Sequence, residues 1–364
     1  MMSDRIVAAT RKGLFFFERA NGGWTLAGDA FLGSPMTYVL ADPRDGMLYA
    51  AANLGHFGPK LHRSADGGKS WDEIAMPAFP KADAGEDGDE AKGPSVVQVW
   101  SMALGAGGAG NLWAGTIPGG LFRSTDGGAS WALNEPLWTM PERERWMGGG
   151  YDQPGIHSLC VDPRNDRHVS LAVSTGGVWR SEDDGKSWRV ASKGLRAAFL
   201  PPDMQYDEIM QDPHLMVQCA SAPDSYWIQH HNGIFRSTDN LGSWQEIEPQ
   251  NCPAFGFAVA VHPTDPETAW FVPAVKDEYR YPRDGKFVVS RTRDGGVSFE
   301  VIDKGLPQVP SYDLVYRHGL DVDSTGSSLV MGSTTGGAWV SGDGGDSWEE
   351  LPARLPPVYA VRFV

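Results

Sequence analysis

Six of the nine histidines could do chemistry if the fold brings their side chains together. Neutral imidazoles bind Zn, Fe or Cu, and imidazoles that exchange a proton near neutral pH act as general acids or bases. Since no local ligand motif of the His-Glu-x-x-His kind is present, a metal site would depend on the fold. The six are His56, His157, His214, His230, His231 and His318.

Three carboxylates could take part in the cleavage of a glycosidic bond. This reaction needs two carboxyl groups that face one bond, roughly 5–10 Å apart. We expect Asp152 to pair with Asp277 or Glu278, with His157 and His318 as further catalytic candidates. Each carboxylate taken singly could also be a solvated loop charge.

Aromatic and cationic side chains in the same segments could bind a substrate. Tyr and Trp rings stack on sugar or aromatic rings, and Arg or Lys side chains hold anions. The residues expected to bind substrate are Tyr151, Trp146, Arg280, Arg317, Arg11 and Lys60.

A repeated sequence unit predicts the strands and turns that must position these residues. The segment 120–131 reads Gly-Leu-Phe-Arg-Ser-Thr-Asp-Gly-Gly-Ala-Ser-Trp, which is a short apolar strand, a polar turn and a Trp. Five further segments repeat this turn, although Leu241 and Phe299 replace the expected Gly and Trp in two of them. The final aromatic residues of successive units are 49 to 60 residues apart, a period typical of propeller blades.

A seventh unit, decayed in its turn, occupies residues 9–24 and lacks an inner strand before Arg5. The last segment, 358–364, is a further apolar strand. We therefore predict an all-β, seven-bladed β-propeller over residues 1–364, closed by the C-terminal strand joining the N-terminal blade. We expect inserted loops at about 80–94, 134–155, 193–208 and 276–286.

The predicted blades divide the loops between two faces of the disc. The polar turn of each repeat joins the two outer strands of a blade and lies on one face. Loops between the second and third strands, and connections between blades, lie on the opposite face, here called the top face. The six histidines map to the top face, and repeat alignment puts His157 and His318 at equivalent starts of inner strands. We therefore expect the site at the top-face mouth of the channel.

The repeated turn resembles the Asp-box, also called the BNR repeat, and its six copies extend over essentially the whole chain. Asp-box propellers include sialidases, xyloglucan-active glucanases, the sortilin ectodomain and photosystem II assembly factors. The Arg-containing motif of sialidases has its nearest counterpart at Tyr279–Pro282, at the wrong place in the chain, so classical sialidase activity is not expected.

The Asp residues of the repeated turn are expected to be structural, because their carboxylates can cap backbone N–H groups of their own turns. They are Asp66, Asp126, Asp183, Asp239, Asp294 and Asp343.

Charge and composition limit the partners and the compartment. The 31 basic and 46 acidic residues give a net charge of −15, which argues against nucleic-acid and membrane partners. Cys160, Cys219 and Cys252 are too few and too far apart to predict a disulfide framework or a Cys-based metal site. We find no apolar segment typical of a signal peptide or membrane span, and we expect a cytoplasmic protein.

Three functions are compatible with these observations. The leading one is a hydrolase-like, glycosidase-related enzyme that acts on a small-molecule or glycan ligand at the channel mouth. The second is a metal-dependent enzyme in which the six histidines hold Zn, Fe or Cu. The third is a non-catalytic scaffold that binds a protein or a glycan.

Overall fold

The computed structural model describes residues 3–20, 22–81 and 93–364. Within them, seven four-stranded antiparallel sheets stand around a central channel, and each sheet is one blade. The predicted all-β, seven-bladed propeller is therefore confirmed.

In chain order, the strands are β1 (Arg5–Thr10), β2 (Gly13–Ala20), β3 (Gly23–Ala30), β4 (Met36–Asp42), β5 (Met47–Asn53), β6 (Pro59–Ser64), β7 (Asp72–Ile74), β8 (Gln98–Leu104), β9 (Leu112–Ile117), β10 (Leu121–Ser124), β11 (Ala132–Leu133), β12 (Ile156–Val161), β13 (Val169–Val173), β14 (Gly177–Ser181), β15 (Arg189–Val190), β16 (Pro213–Gln218), β17 (Tyr226–His230), β18 (Gly233–Ser237), β19 (Gln245–Ile247), β20 (Gly256–His262), β21 (Asp265–Pro273), β22 (Val289–Thr292), β23 (Glu300–Ile302), β24 (Leu320–Val322), β25 (Leu329–Gly332), β26 (Ala338–Ser341), β27 (Glu349–Glu350) and β28 (Val358–Phe363). Blade 1 contains β28, β1, β2 and β3 from the channel outward, and each later blade contains four consecutive strands. The helical elements are α1 (Glu135–Trp138) and 3₁₀ turns at Gly55–Phe57, Pro141–Arg145 and Arg283–Gly285.

The C-terminal strand closes the ring, as predicted. β28 pairs antiparallel with β1, with Ile6 opposite Phe363 and Ala8 opposite Val361. Val358 and Val361 are fully buried in the core between blades 1 and 7. The pairing covers the strand edge that β1 would otherwise expose to solvent.

Apolar side chains fill the spaces between neighbouring blades. Trp244, which ends the repeat unit of blade 5, packs against Val178 and Ala191 of blade 4. Its indole N–H donates to the carbonyl oxygen of Ala191 at 2.8 Å. A large ring with one polar atom can thus bury its apolar area and satisfy its donor across the boundary.

The repeated Asp forms the same hydrogen bonds in six turns. In blade 3, Asp126 Oδ2 accepts from the Ser130 hydroxyl at 2.6 Å, and Oδ1 accepts from the Ser130 N–H at 2.9 Å and the Ser124 hydroxyl at 2.8 Å. These bonds lower the pKa of Asp126 to about 2, and the bond from the Ser130 hydroxyl has the largest effect. Equivalent bonds surround Asp66, Asp183, Asp239, Asp294 and Asp343.

In several blades, an arginine on the third strand donates a hydrogen bond to the polar turn of the next blade. Arg180 Nη1, for example, donates to the Asn240 carbonyl oxygen at 2.6 Å. The arginines Arg63, Arg236 and Arg291 likewise donate to the carbonyl oxygens of Gly127, Gly295 and Gly344.

Three of the predicted top-face loops lie within the described residues. The 134–155 loop carries α1 and a 3₁₀ turn, and the 276–286 loop carries another, whereas 193–208 is irregular. The loop predicted at 80–94 falls largely on residues 82–92, outside the described residues. None of the helices that the structure describes is long and apolar enough to cross a membrane.

Candidate functional site

A cavity of about 1170 Å³ opens at the top-face mouth of the channel. Ligand pockets typically measure roughly 300–1,000 Å³, so this one can admit a ligand as large as a small oligosaccharide. A second cavity of about 430 Å³ lies deeper in the channel. Arg317 and His318 line both cavities and form the boundary between them.

Bulges in the inner strands turn single side chains toward the channel. In blade 5, Pro213 lies opposite His230 and Leu215 opposite Gln229, so the pairing skips His214. An extra residue in a bulge bends the strand and re-aims its side chain. Register shifts of this kind also occur at Thr37, Trp100, His157, Phe257 and Tyr359.

Asp212, His214 and His231 form a cluster on the cavity wall, called the triad here. One donor atom from each residue lies within 4.8 Å of the donor atoms of the other two. His231 Nδ1 is 3.2 Å from Asp212 Oδ2, and the His231 backbone N–H donates to the Asp212 carbonyl oxygen at 3.0 Å. The loop after β17 is thereby fixed to the start of β16.

Neighbouring groups orient the triad from behind. His214 Nδ1 lies 2.6 Å from the Gly256 carbonyl oxygen, a contact in which Nδ1–H donates and which leaves Nε2 without the proton. The Thr175 N–H donates to Asp212 Oδ1 at 3.4 Å. Thr175 itself has φ 43, a left-handed conformation that is strained for a β-branched residue and typical of functional sites.

Burial and mutual charge shift the pKa values of the triad in different directions. Burial raises the pKa of Asp212, but the His231 hydrogen bond and nearby imidazoles outweigh it and leave the net pKa well below its usual range. Burial lowers the pKa of His231, but the hydrogen bond to Asp212 and the negative charges of Asp212 and Asp277 together outweigh it and raise the net value. Burial lowers the pKa of His214 to about 3 against the attraction of Asp212, so His214 is neutral at physiological pH.

Arg317 is a buried cation beside the triad. Its guanidinium carbon lies 4.8 Å from the Trp100 ring centroid and 5.4 Å from that of Phe257, and the residue is only 9% exposed. Its Nε has no hydrogen-bond partner in the part of the chain that the structure describes. Burial lowers the pKa of Arg317 to about 10, with Asp212 acting against it, so the side chain is charged at neutral pH.

Among the described residues, the two carboxylates that line the cavity have partners other than Arg317. Asp212 is paired with His231, and Asp277 Oδ1 is 2.5 Å from Arg280 Nη2. Arg280 in turn stacks on the face of Phe257 at 5.2 Å. Neither carboxylate therefore pairs directly with Arg317.

The structure brings about half of the sequence-predicted site residues to the cavity wall. Those that line it are Asp277, His318, Tyr151, Arg280, Arg317, His214 and His231. Tyr151 packs edge-on against Trp100 at 5.1 Å.

Several predicted residues in loops do not line this cavity. Asp152 is exposed, and so is Glu278, whose carboxylate pairs with Lys276 at 3.3 Å. The expected carboxylate pair is therefore not assembled on the cavity wall. Arg11 and His56 are exposed outside the lining, and Lys60 pairs with Glu73 at 2.6 Å.

Three other predicted residues are buried away from this cavity. His157 lines only the deeper cavity. His230 points into the blade, where its Nε2 accepts the Asp212 backbone N–H at 3.1 Å, so that nitrogen cannot ligate a metal. Trp146 packs in the core between blades, with its ring 5.7 Å from that of Trp179, and cannot stack on a substrate in this cavity.

Sequence reasoning missed Asp212. The signal was present in Gln211-Asp-Pro-His214, where a carboxylate stands two residues before the histidine that opens an inner strand.

Curated relatives resemble parts of this chain. A xyloglucanase of Paenibacillus sp is 23% identical over an alignment of 292 residues, and the match covers 70% of this chain and 26% of that enzyme. A sialidase of Bacteroides fragilis (strain YCH46) is 28% identical over an alignment of 160 residues, and the match covers 37% of this chain and 29% of that enzyme. The chain thus spans less than a third of the length of these relatives. No family model matches the chain.

Solved structures share the fold at low sequence identity. An ancestral GH74 enzyme has a TM-score of 0.60 and 19% identity, over 84% of this chain and 36% of its own. YCF48 bound to a D1 peptide has a TM-score of 0.52 and 14% identity, over 87% and 83%. A functionally unknown protein from Desulfotomaculum acetoxidans DSM 771 has a TM-score of 0.58 and 12% identity, over 98% of both chains. The chain is therefore a seven-bladed propeller of the type found in GH74 enzymes and YCF48.

Proposed function

We propose that the protein is a hydrolase-like enzyme whose top-face cavity takes an anionic substrate, an acidic saccharide, with Arg317 as the anchor for its oxyanion. The single observation that carries this proposal is the buried Arg317 guanidinium, which opens on a large cavity and forms no ion pair with a carboxylate among the residues that the structure describes.

A buried, unpaired charge is costly in a ligand-free protein. Desolvation of a cation costs several kcal/mol unless a counter-charge offsets it. Trp100 and Phe257 offset part of that cost through their ring faces, each by about 0.5–2 kcal/mol. A carboxylate, phosphate or sulfate could supply the rest, because the guanidinium presents paired donors to such groups.

The other lining residues suit a polar ring. Trp100, Tyr151, Tyr316 and Tyr359 offer aromatic surfaces with polar edges, and Asn53 adds an amide that can bond to hydroxyl groups. The names of the curated relatives, a xyloglucanase and a sialidase, support a saccharide as the substrate class. The match covers less than a third of each of these enzymes, and the proposed substrate class is drawn from that part alone.

Binding is tested by calorimetry with glucuronate, with glucose as the neutral counterpart, and with inorganic sulfate and phosphate as separate arms. We expect glucuronate to bind and glucose not to bind. Arg317→Met should weaken glucuronate binding by about 10- to 100-fold, the loss expected for a charged hydrogen bond. Arg11→Met is the matched control, since Arg11 is an exposed arginine outside the lining, and should bind as the wild type does.

Equal binding of glucose and glucuronate, or undiminished binding by Arg317→Met, would contradict the anionic substrate. Turnover is measured separately with a panel of acidic oligosaccharides and aryl glycosides. Tight binding without turnover would reject the hydrolase and favour a binding scaffold, the role suggested by the YCF48 complex with a D1 peptide.

A further inference from the structure

We infer that Asp212, His214 and His231 hold one divalent transition-metal ion on the wall of the top-face cavity. This inference goes beyond the proposed anionic substrate and does not depend on it, because a metal can bind the triad without any sugar.

The spacing of the donor atoms fits a common ion. Zn²⁺ and similar ions lie about 2.0–2.2 Å from His nitrogen and carboxylate oxygen, so two ligands of one ion are at most roughly 4.4 Å apart. The three donor atoms already lie within 4.8 Å of one another. Side-chain shifts of a few tenths of an ångström would therefore complete the coordination.

The donor types fit as well. The Gly256 carbonyl oxygen fixes the His214 tautomer through Nδ1 and leaves Nε2 as a free electron-pair donor. In metal sites, the ring nitrogen of a ligating imidazole that faces away from the ion commonly donates to a backbone carbonyl oxygen or a carboxylate. Asp212 is held in the same way by the Thr175 N–H on Oδ1, while Oδ2 faces His231. Two imidazoles and one carboxylate are ligands typical of catalytic Zn²⁺ and non-haem Fe²⁺ sites.

The site is of the open kind. All three residues line the cavity, so three protein ligands would leave the remaining coordination positions toward the ligand space. A bound ion would supply a Lewis acid that polarises a substrate oxygen or lowers the pKa of a water. Phe257 stacks on His214 at 4.3 Å and borders Arg317, so a substrate held by Arg317 would lie next to the ion.

Three of the other predicted metal ligands do not compete for this ion. The Asp212 backbone N–H occupies His230 Nε2. His157 lies in the deeper cavity, and His56 is exposed outside the lining. Within residues 3–20, 22–81 and 93–364, the triad is the one group of three His, Cys, Asp or Glu side chains whose donor atoms lie close enough together to hold a metal.

The test uses the full chain, purified without a His tag and dialysed against a chelator. Zn²⁺, Mn²⁺ and, without oxygen, Fe²⁺ are added separately, and binding is measured by calorimetry and elemental analysis. We expect one ion per chain. Co²⁺ should give visible absorption bands that report nitrogen and oxygen ligands directly.

Three ligand variants and one control separate the triad from the rest of the protein. Asp212→Asn, His214→Gln and His231→Asn should each weaken metal binding by more than the roughly 10- to 100-fold expected when a residue that only orients a metal ligand is lost. His56→Ala removes an exposed histidine and should bind as the wild type does. Circular dichroism and melting temperature show whether each variant is folded. His231→Asn, at the cavity surface, keeps the test valid if the other two variants unfold.

Absence of a stoichiometric ion in the wild type, or wild-type affinity in a folded His231→Asn variant, would overturn the inference. Glucuronate binding is measured in parallel on chelator-treated protein. If the protein binds glucuronate but takes up no metal ion, only the triad as a metal centre is rejected. Metal binding without glucuronate binding would reject only the anionic substrate.

Discussion

The imidazole of His214 stacks on the ring of Phe257, with 4.3 Å between centroids and 12° between planes. The two residues lie at bulges in neighbouring inner strands, and Arg317 borders the same phenylalanine. A single apolar ring thus positions a neutral imidazole and a buried cation in one cavity. This contact links the candidate metal site to the candidate anion site.

Phe257→Leu should weaken glucuronate binding by about 3- to 30-fold, because the ring face contributes about 0.5–2 kcal/mol to holding a cation. The control is Phe255→Leu, since Phe255 also packs edge-on against His214, at 5.7 Å. It should leave binding unchanged. Calorimetry on both variants measures the difference, and equal losses would show that the Arg317 contact with Phe257 has no specific role.

Arg317→Met should stabilise the ligand-free protein. Methionine fills much of the same space without the desolvation cost of a buried charge, so the free energy of unfolding should rise by about 1 kcal/mol or more. The measurement is urea unfolding in chloride buffer without oxyanions. A loss of stability would mean that the guanidinium supports the fold rather than a ligand.

Arg180→Met should destabilise the ring by about 1–3 kcal/mol, because it leaves the Asn240 carbonyl oxygen in the next blade without its charged donor. Arg189→Met is the control. Arg189 pairs with the same Glu182 as Arg180 but is exposed, so its loss should cost less than about 0.5 kcal/mol. Urea midpoints at unchanged m-value provide the comparison.

The polar turns should make stability sensitive to acid. Hydrogen bonds lower the pKa values of Asp126 and Asp183 to about 2, and the bonds from the Ser130 and Ser187 hydroxyls have the largest effect. The pKa of Asp in an unfolded chain is about 3.9. A lowered pKa contributes stability above the unfolded value and loses it as pH falls through the folded value. The melting temperature should therefore fall between about pH 4 and pH 2.

The double variant Asp126→Asn and Asp183→Asn should melt lower at pH 7 and show a flatter profile below pH 4. Asp203→Asn, in an exposed connection, should follow the wild-type profile. Parallel profiles for the double variant and the wild type would show that these turns do not determine the acid response.

Removal of residues 358–364 should abolish cooperative unfolding. The deletion strips blade 1 of its inner strand and exposes both the β1 edge and the core around Val358 and Val361. A synthetic peptide of residues 355–364, added to the truncated chain, should restore part of the native circular dichroism. A truncated chain that stays monomeric with the wild-type melting temperature would contradict the role of β28 in closure.

The sequence by itself determined the fold and the face that carries the cavity. The polar turns recur at nearly even spacing, and a turn of fixed length between strands leaves little freedom for the chain path. The number of blades, the closure by 358–364 and the location of His214, His231 and His318 on the top face could therefore be predicted.

Only the tertiary structure decided which of these side chains meet. Neighbours in a strand point to opposite sides, and one bulged residue changes that alternation, so His230 is buried in the blade while His231 reaches the cavity. The aligned histidines His157 and His318 also differ, since His157 lines only the deeper cavity whereas His318 lines both. The position of Asp212 between two blades depends on contacts across loops, which no local pattern of residues encodes.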